Sequence, residues 1–413
     1  MSINVAIVCG GSSVEHEVSI ITALQAAGAL DRSKYNPVAL YITKDNRFFT
    51  GGNLLDIAAY RDIPAALSQA MEVVPVRHEG RSVLMSYPPK TFGRGSFIPI
   101  DVCLLGVHGT NVEDGTLQGL LEYWGAPYTG CNVCASACGM DKWVMKALFK
   151  ASNIPCLDAV LLHRAEYFAA SDSQLDRIEA AMGYPVIVKP SNLGSSVGIN
   201  KARDRQGLKA AVETAFTFAQ EVLCEPAVQN LREINCAVLG DSDSARASVC
   251  EEPLNATDIL TFSDKYMSGS GSKSGKLGGA KTGASTGGSK GGASGMASLS
   301  RQVPADITPE TEQRVRELAV RAFRAIGASG VARVDFLMDG KTGELYVNEI
   351  NTTPGSLSYY LWEAAGVSFT QLVDELISLA LKKQRDKERL TFSFETNLLA
   401  NASLPSGAKG AKR

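Results

Sequence analysis

The chain has 413 residues, of which 45% are hydrophobic and 20% charged, and its formal net charge is -2. That length builds two or three packed cores of ordinary globular composition. A near-neutral charge gives no electrostatic reason to expect nucleic acid or an anionic membrane surface as partner, so a small-molecule substrate is expected.

The chain opens on an apolar strand, Val5-Ala6-Ile7-Val8, without a basic start, a long apolar core or a small-residue cleavage site. No apolar run approaches the roughly 20 residues that span a bilayer, so a cytoplasmic protein is expected. A Gly-Gly turn, a helix over 19–30 and a strand over 37–42 follow, the opening of an α/β domain. Residues 45–98 read as a peripheral excursion before a buried strand at 102–105 and a helix around 119–122. Cys131, Cys134 and Cys138 have the spacing of metal ligands, but no second cluster follows, and His16, His78, His108 and His163 lie elsewhere. The plainer reading makes them small buried residues in a closely packed helix beside Ala135, Ser136 and Ala137. Disulfides are not expected.

A first domain therefore covers 1–138. A helix over 141–151, a strand over 186–190, the polar turn 191–196 and a strand over 221–225 make a second lobe, 139–224. Strands dominate from Glu233 until a helix over 308–326. Segments 333–337 and 345–349 form a hairpin, and a helix over 369–383 closes a third lobe, 225–384. Residues 267–300 are almost wholly Gly, Ser, Ala, Thr and Lys, and read as an expanded surface loop inside that lobe. The loop is either inert or an anion-attracting lid carrying Lys273, Lys276, Lys281 and Lys290. The tail, 385–413, is poor in apolar residues at its end.

Asp335, Glu349 and Asn351 form the strongest chemical constellation, because two carboxylates and an amide oxygen on adjacent strands are hard donors suited to magnesium. Hairpin carboxylates are otherwise often just solvated. Arg333 lies two residues before Asp335, on the same strand face, where a guanidinium would meet phosphoryl oxygens. Lys189 ends a strand before a turn whose backbone N–H groups could approach phosphate, although no Walker sequence is present. Lys142, entering a helix, is either solvated or pairs with Lys189 on a polyphosphate. The turn Gly10-Gly11-Ser12-Ser13-Val14-Glu15 lacks the dinucleotide glycine spacing. Glu15 there is either a macrodipole partner or the seat of a substrate ammonium group.

Taken together, GGSSVEHEVS, HGTNVEDGTLQG, YTG followed by MDK, VIVKPSNLGSSVG, the 264–266 segment, ARVDF and NEINTTPG closely resemble the D-alanine–D-alanine ligases, in the same order. The resemblance runs from about Asn4 to Leu381. It implies a Rossmann-like N-terminal α/β domain followed by a two-lobed α+β ATP-grasp fold. It implies Lys142 and Lys189 on the ATP phosphates, Glu225, Pro226, Ala227 and Val228 as the adenine hinge, Glu233 on the ribose, and Lys265 on the nucleotide. Asp335, Glu349 and Asn351 would bind two magnesium ions, with manganese as a substitute, and Arg333 would stabilise the transferring phosphoryl group. Glu15 would hold the first ammonium, His108 and Glu113 would complete that pocket, and Ser195 and Tyr266 would hold a lid closed. Gly355 would supply an oxyanion N–H, with Tyr360 and Leu361 at the second substrate.

The implied reaction joins two D-alanines through an acylphosphate, for peptidoglycan precursor synthesis, in a homodimer. One departure is Tyr360, where many members have a serine that contacts the second substrate's carboxylate. It leaves D-alanine–D-serine or D-alanine–D-lactate ligation as alternatives. Another ATP-grasp carboxylate–amine ligase, or a nucleotide-binding protein without turnover, are more distant ones.

Overall fold

The computed structural model describes residues 2–89, 97–194, 197–254, 301–393 and 397. The first sheet is built from β1 (Ile3–Gly10), β2 (Tyr35–Ile42), β3 (Phe48–Thr50), β4 (Met71–His78), β5 (Arg81–Ser86), β6 (Phe97–Pro99) and β7 (Val102–Leu105), in the order β6-β5-β4-β3-β2-β1-β7. Helices α1 (His16–Gly28), α2 (Ile63–Ser68) and α3 (Thr116–Trp124) accompany it. β1 pairs in parallel with β2 and β7, and its continuous apolar run is buried throughout Val5–Val8, as a strand covered on both faces requires. Residues 45–98 differ from the expected peripheral excursion. Their strands extend the sheet antiparallel from β2, and Phe49, Val73 and Leu84 join its cores, so the edge of β2 is paired and not exposed.

Helices α4 (Val133–Met140) and α5 (Lys142–Ala151) lead into a four-stranded antiparallel sheet. Asp141 separates them and caps α5 by accepting from the N–H groups of Trp143 (2.9 Å) and Val144 (3.0 Å). Of the three spaced cysteines only Cys131 is buried; Cys134 is exposed and Cys138 half-buried, which corrects the packed-helix reading, because α4 turns Ala135 and Ser136 inward instead. All nine cysteines are free thiols. The sheet comprises β8 (Val160–His163), β9 (Val186–Pro190), β10 (Asn200–Ala202) and β11 (Glu221–Pro226), ordered β10-β9-β11-β8. Helices α6 (Arg164–Ala169), α7 (Ser171–Met182) and α8 (Arg205–Ala215) cover it through Tyr167, Ile178 and Val212.

The third sheet is β12 (Leu231–Gly240), β13 (Ala245–Pro253), β14 (Arg301–Gln302), β15 (Gly330–Asp339) and β16 (Leu345–Asn351), ordered β14-β13-β12-β15-β16. Helices α9 (Pro309–Ala325), α10 (Tyr359–Ala364) and α11 (Phe369–Glu388) pack around it. Side chains alternate across a strand, so each face has its own character. One face carries Cys236, Cys250, Val334 and Ile350 into a core shared with Val315, Ala319 and Phe323 of α9. On the other face Glu251, Asn235, Asp335 and Glu349 are successive register partners and form a polar rank across four strands. Farther along that same face Ala237, Leu239 and Val331 become apolar and join a core that also holds β1, α1, α10 and α11. The polar rank is therefore held against the first sheet by a common core.

Between β16 and α10 the chain makes a buried turn in which Ser356, Leu357 and Ser358 have φ of 53°, 51° and 49°. Left-handed conformations cost L-residues roughly 1–2 kcal/mol each, so surrounding contacts must hold this turn. Ser356 N–H donates to the Thr22 hydroxyl on α1 (3.0 Å), and Leu357 N–H to the Pro354 carbonyl (2.8 Å). Among the described residues no single helix is long and apolar enough to cross a membrane.

Candidate active site

A cleft between the three sheets is lined by Glu15, His108, Glu113, Gly139, Lys142, Gly194, Arg333, Glu349, Asn351 and Gly355. Glu15 precedes α1 without a side-chain cap bond, and its carboxyl group is buried in the cleft. The glycines explain how it fits: a Cβ on Gly109, at φ +83°, would stand 2.8 Å from Glu15 Oε2, and one on Gly194 would stand 2.9 Å away.

Glu113 is held by three donors from two loops. Its Oε2 accepts from Gly109 N–H (3.0 Å), and its Oε1 from Thr353 N–H (2.9 Å) and the Thr352 hydroxyl (3.2 Å). Burial, followed by the neighbouring charge of Glu15, pushes its carboxyl up to about 7. His108 shares a 2.8 Å hydrogen bond with the hydroxyl of Thr22. Burial drives its imidazole down to about 4, against a backbone hydrogen bond to Thr353 that raises it, so the ring is neutral at physiological pH. Since Thr22 also accepts from Ser356, one hydroxyl couples α1, the loop after β7 and the left-handed turn.

The cationic end is organised differently. Lys142 donates to the Leu193 carbonyl (2.8 Å) and lies 3.9 Å from Glu349 Oε2. Lys189 sits 2.6 Å from Glu225 Oε2 and donates to Asn348 Oδ1 (3.2 Å). Lys146 takes the other oxygen, Oε1, at 2.6 Å. Burial alone would raise the Glu225 carboxyl, but the two ammonium groups outweigh it and hold it below the usual carboxylate range. Glu225 was expected in an adenine hinge, and its side chain is committed to these lysines. The hinge N–H of Ala227 is given to the Pro185 carbonyl (3.0 Å), and Pro226 has none.

On the hairpin, Arg333 grips Asp335 bidentately, Nε to Oδ1 at 2.6 Å and a terminal nitrogen to Oδ2 at 2.7 Å. Burial opposes the charge on Arg333, but the Asp335 carboxylate outweighs it and raises the guanidinium well above its ordinary range. Asn351 donates to Asp335 Oδ2 (3.0 Å), and Glu349 stands opposite Asp335 in register. The expected face-sharing of Arg333 with the three oxygen donors is thus present. Among the described residues no three His, Cys, Asp or Glu side chains form a preformed metal cage.

Lys189, Glu225, Glu233, Asp335, Tyr360 and Leu361 lie outside the cleft lining. Leu361 is sealed in the core with Trp362 and Val373. Tyr360 donates its hydroxyl to Glu251 Oε1 (3.0 Å). Ser195, Lys265 and Tyr266 lie outside the described residues, as do the 267–300 insertion and the end of the tail. Sequence reasoning did not single out Thr22, Lys146 or Asn348, which hold His108, Glu225 and Lys189 in place. Of these, Lys146 carried a usable signal, standing four residues after Lys142 on the same helix face.

The chain matches the family described as D-ala D-ala ligase N-terminus over residues 4–131, and that described as D-ala D-ala ligase C-terminus over 148–277 and 294–378. A D-alanine–D-alanine ligase from Heliobacterium modesticaldum is 37% identical over 94% of this chain and 97% of its own length. One from Thermosipho africanus is 35% identical over 96% and 98%. Among solved structures, a D-alanine–D-alanine ligase from Coxiella burnetii superposes with a TM-score of 0.74 at 26% identity, covering 94% of this chain and 96% of that one. The VanG D-Ala:D-Ser ligase from Enterococcus faecalis gives 0.73 at 28%, covering 92% and 100%.

Proposed function

The chain belongs to the D-alanine–D-alanine ligase family, and we propose that it joins two D-alanines at the expense of ATP through an acylphosphate, supplying peptidoglycan precursors. The observation that carries the reading is the convergence of Glu15, His108 and Glu113 with Lys142 and Arg333 in one cleft. The Glu15 carboxyl group at one end suits an ammonium group, and cations at the other suit phosphates.

In this reading Glu15 receives the first substrate's ammonium, and His108 and Glu113 fix its orientation. Neutral His108 adds no charge beside the carbonyl. That substrate's carboxylate oxygen attacks the γ-phosphorus, and the bond to the ADP oxygen breaks. The neutral amine of the second D-alanine then attacks the acyl carbon, and phosphate leaves. Lys142 and Lys189 hold nucleotide phosphates, Glu225 to Val228 border the adenine, and Glu233 faces the ribose. Arg333 faces the phosphoryl group and the Gly355 N–H the developing oxyanion, donors aimed at charge that grows in the transition state. Ser195, Lys265 and Tyr266 keep their lid and nucleotide roles as part of the proposal, since an acylphosphate must be shielded from water.

Magnesium fits the donor set, because Asp335 and Glu349 offer carboxylates and Asn351 an amide oxygen, all hard ligands, with phosphate oxygens arriving to complete the shell. Bound there it would neutralise charge on the transferring phosphoryl oxygens. The homodimer and the cytoplasmic setting belong to the same proposal.

The test is phosphate release with ATP and magnesium, first with D-alanine alone and then with D-serine or D-lactate added, the products identified by mass. D-alanyl-D-alanine as the dominant product is expected. A dominant mixed product would move the chain toward the D-serine specificity named for the Enterococcus faecalis relative, and no product would remove the substrate assignment.

A further inference from the structure

Cys131 is buried and its thiol donates to the Ser329 carbonyl (3.6 Å), but Cys134 is exposed and Cys138 half-buried on α4. Four residues apart, these two share one helix face, and their thiols are hydrogen-bonded to each other. Cys138 also packs against the core beneath the third sheet. One residue on, Gly139 lines the cleft and lies so close to the end of β16 that a Cβ there would stand 2.6 Å from Thr352 Cγ2. A direct disulfide does not fit the pair. Side chains four apart on a helix have Cβ atoms about 5–6 Å apart, whereas a disulfide holds them at about 3.5–4.5 Å, so α4 would have to unwind. A divalent cation fits no better, since it needs both sulfurs as thiolates. Burial, then the Cys134 thiol and the Asp141 carboxylate, hold the Cys138 thiol above its ordinary range. Among the described residues no third Cys, His, Asp or Glu completes a cage around them. A soft acceptor that enters between the two sulfurs, needs no third ligand from the protein and leaves a neutral product meets each of these conditions.

We propose that Cys134 and Cys138 form a dithiol site that binds monosubstituted trivalent arsenicals through both sulfurs. Two S–H groups and R–As=O condense to R–As(S–Cys)2 and water. Two As–S bonds form, the As=O bond breaks, and its oxygen leaves with both thiol protons. Arsenic stays trivalent, so no oxidant is required. Exposed Cys134 makes the first bond, and Cys138, already in contact with it, closes the ring intramolecularly. The second bond is what makes the adduct durable, because a released sulfur is recaptured before the arsenical escapes. The other close pair, Cys236 and Cys250, are register partners on β12 and β13, but they are 0% and 1% exposed and out of a reagent's reach in the folded chain. The site is independent of the ligase reading above.

The experiment treats the folded full-length chain, reduced with a phosphine that is then removed, with an equimolar amount of phenylarsine oxide and reads intact mass. Wild type is expected to gain one phenylarsenic less two hydrogens, stripped by dimercaptopropanol and retained in mercaptoethanol at the same sulfur concentration. Cys134→Ser and Cys138→Ser should each lower the adduct retained in mercaptoethanol by about 10-fold or more, the loss of the intramolecular second bond, while Cys131→Ser leaves it unchanged. If Cys138→Ser does not fold, Cys134→Ser, at an exposed position, carries the test alone. No retained adduct on wild type, or one that persists in Cys134→Ser, would overturn the assignment. So would peptide mapping that finds the arsenic on Cys236 and Cys250.

Discussion

The two ends of the cleft achieve readiness by opposite means. At the amino-acid end, Glu113 and His108 are fixed by backbone N–H groups and hydroxyls from several loops, and their buried surroundings favour uncharged forms. At the cationic end and behind it the cations are held against carboxylates: Lys142 near Glu349 and Arg333 on Asp335, with Lys146 and Lys189 on Glu225 outside the lining. The first end is fixed largely by neutral donors, which suits the small zwitterion of the proposed reading. The second is self-neutralised, and in that reading a polyphosphate takes over partners that the protein already supplies. Burial calls for that pairing, because uncompensated ammonium groups there would cost several kcal/mol each.

Removing a member of the self-neutralised end should have the largest effect. Asp335→Asn is expected to lower kcat by about 1000-fold or more, since it strips Arg333 of its partner and removes a hard oxygen donor, while the fold persists by circular dichroism. Near-normal turnover would take Asp335 out of the chemistry. Glu225→Gln sharpens the comparison next. It leaves Lys146 and Lys189 without their counter-charge, at a cost of about 3–5 kcal/mol in the ligand-free protein. Added ATP should restore more melting temperature to this variant than to wild type, because phosphates offer the lysines a replacement anion. An equal ligand shift in both proteins would mean that these lysines never meet the nucleotide.

The smallest effect probes the other end through pH. Glu113 is raised from 4.5 to about 7, so the folded chain binds the extra proton, and its contribution to stability is present below 4.5 and lost as pH rises through 7. His108 is lowered from 6.5 to about 4, so its contribution is present above 6.5 and lost as pH falls through 4. The two oppose each other between pH 4.5 and 6.5. Glu113→Gln should unmask His108, and the substrate-free variant's melting temperature should climb more steeply with pH across that window than wild type's. Parallel profiles would show that Glu113 is not held protonated.

Much of this was legible because the decisive elements are apolar runs or hairpin partners. The strands at 102–105 and 186–190 are built on the buried apolar runs Val102–Leu105 and Val186–Val188. The grouping of Arg333, Asp335, Glu349 and Asn351 needs only strand alternation and a hairpin register. The extension at 45–98 was less legible, because its short strands acquire a place only by pairing with the edge of β2. The Lys146–Glu225–Lys189 cluster joins α5 to two strands far away in sequence, and nothing local marks Glu225 as buried. The ion pair of Glu251 and Arg301 beside Tyr360 is hidden in the sequence in the same way. They meet Tyr360 only after β13, β14 and α10 have assembled.

The polar rank of Glu251, Asn235, Asp335 and Glu349 also ties chemistry to folding fidelity. Side chains alternate with a period of two, so a slip of β15 by one residue would turn Asp335 and Arg333 toward α9 and present Val334 to the cleft. No half-working intermediate lies between these registers. Irregularities beside Cys236 and Asp335 pin the correct one. Molecules that slipped would lower the specific activity of a preparation in proportion to their number and leave the turnover of each correctly registered molecule the same.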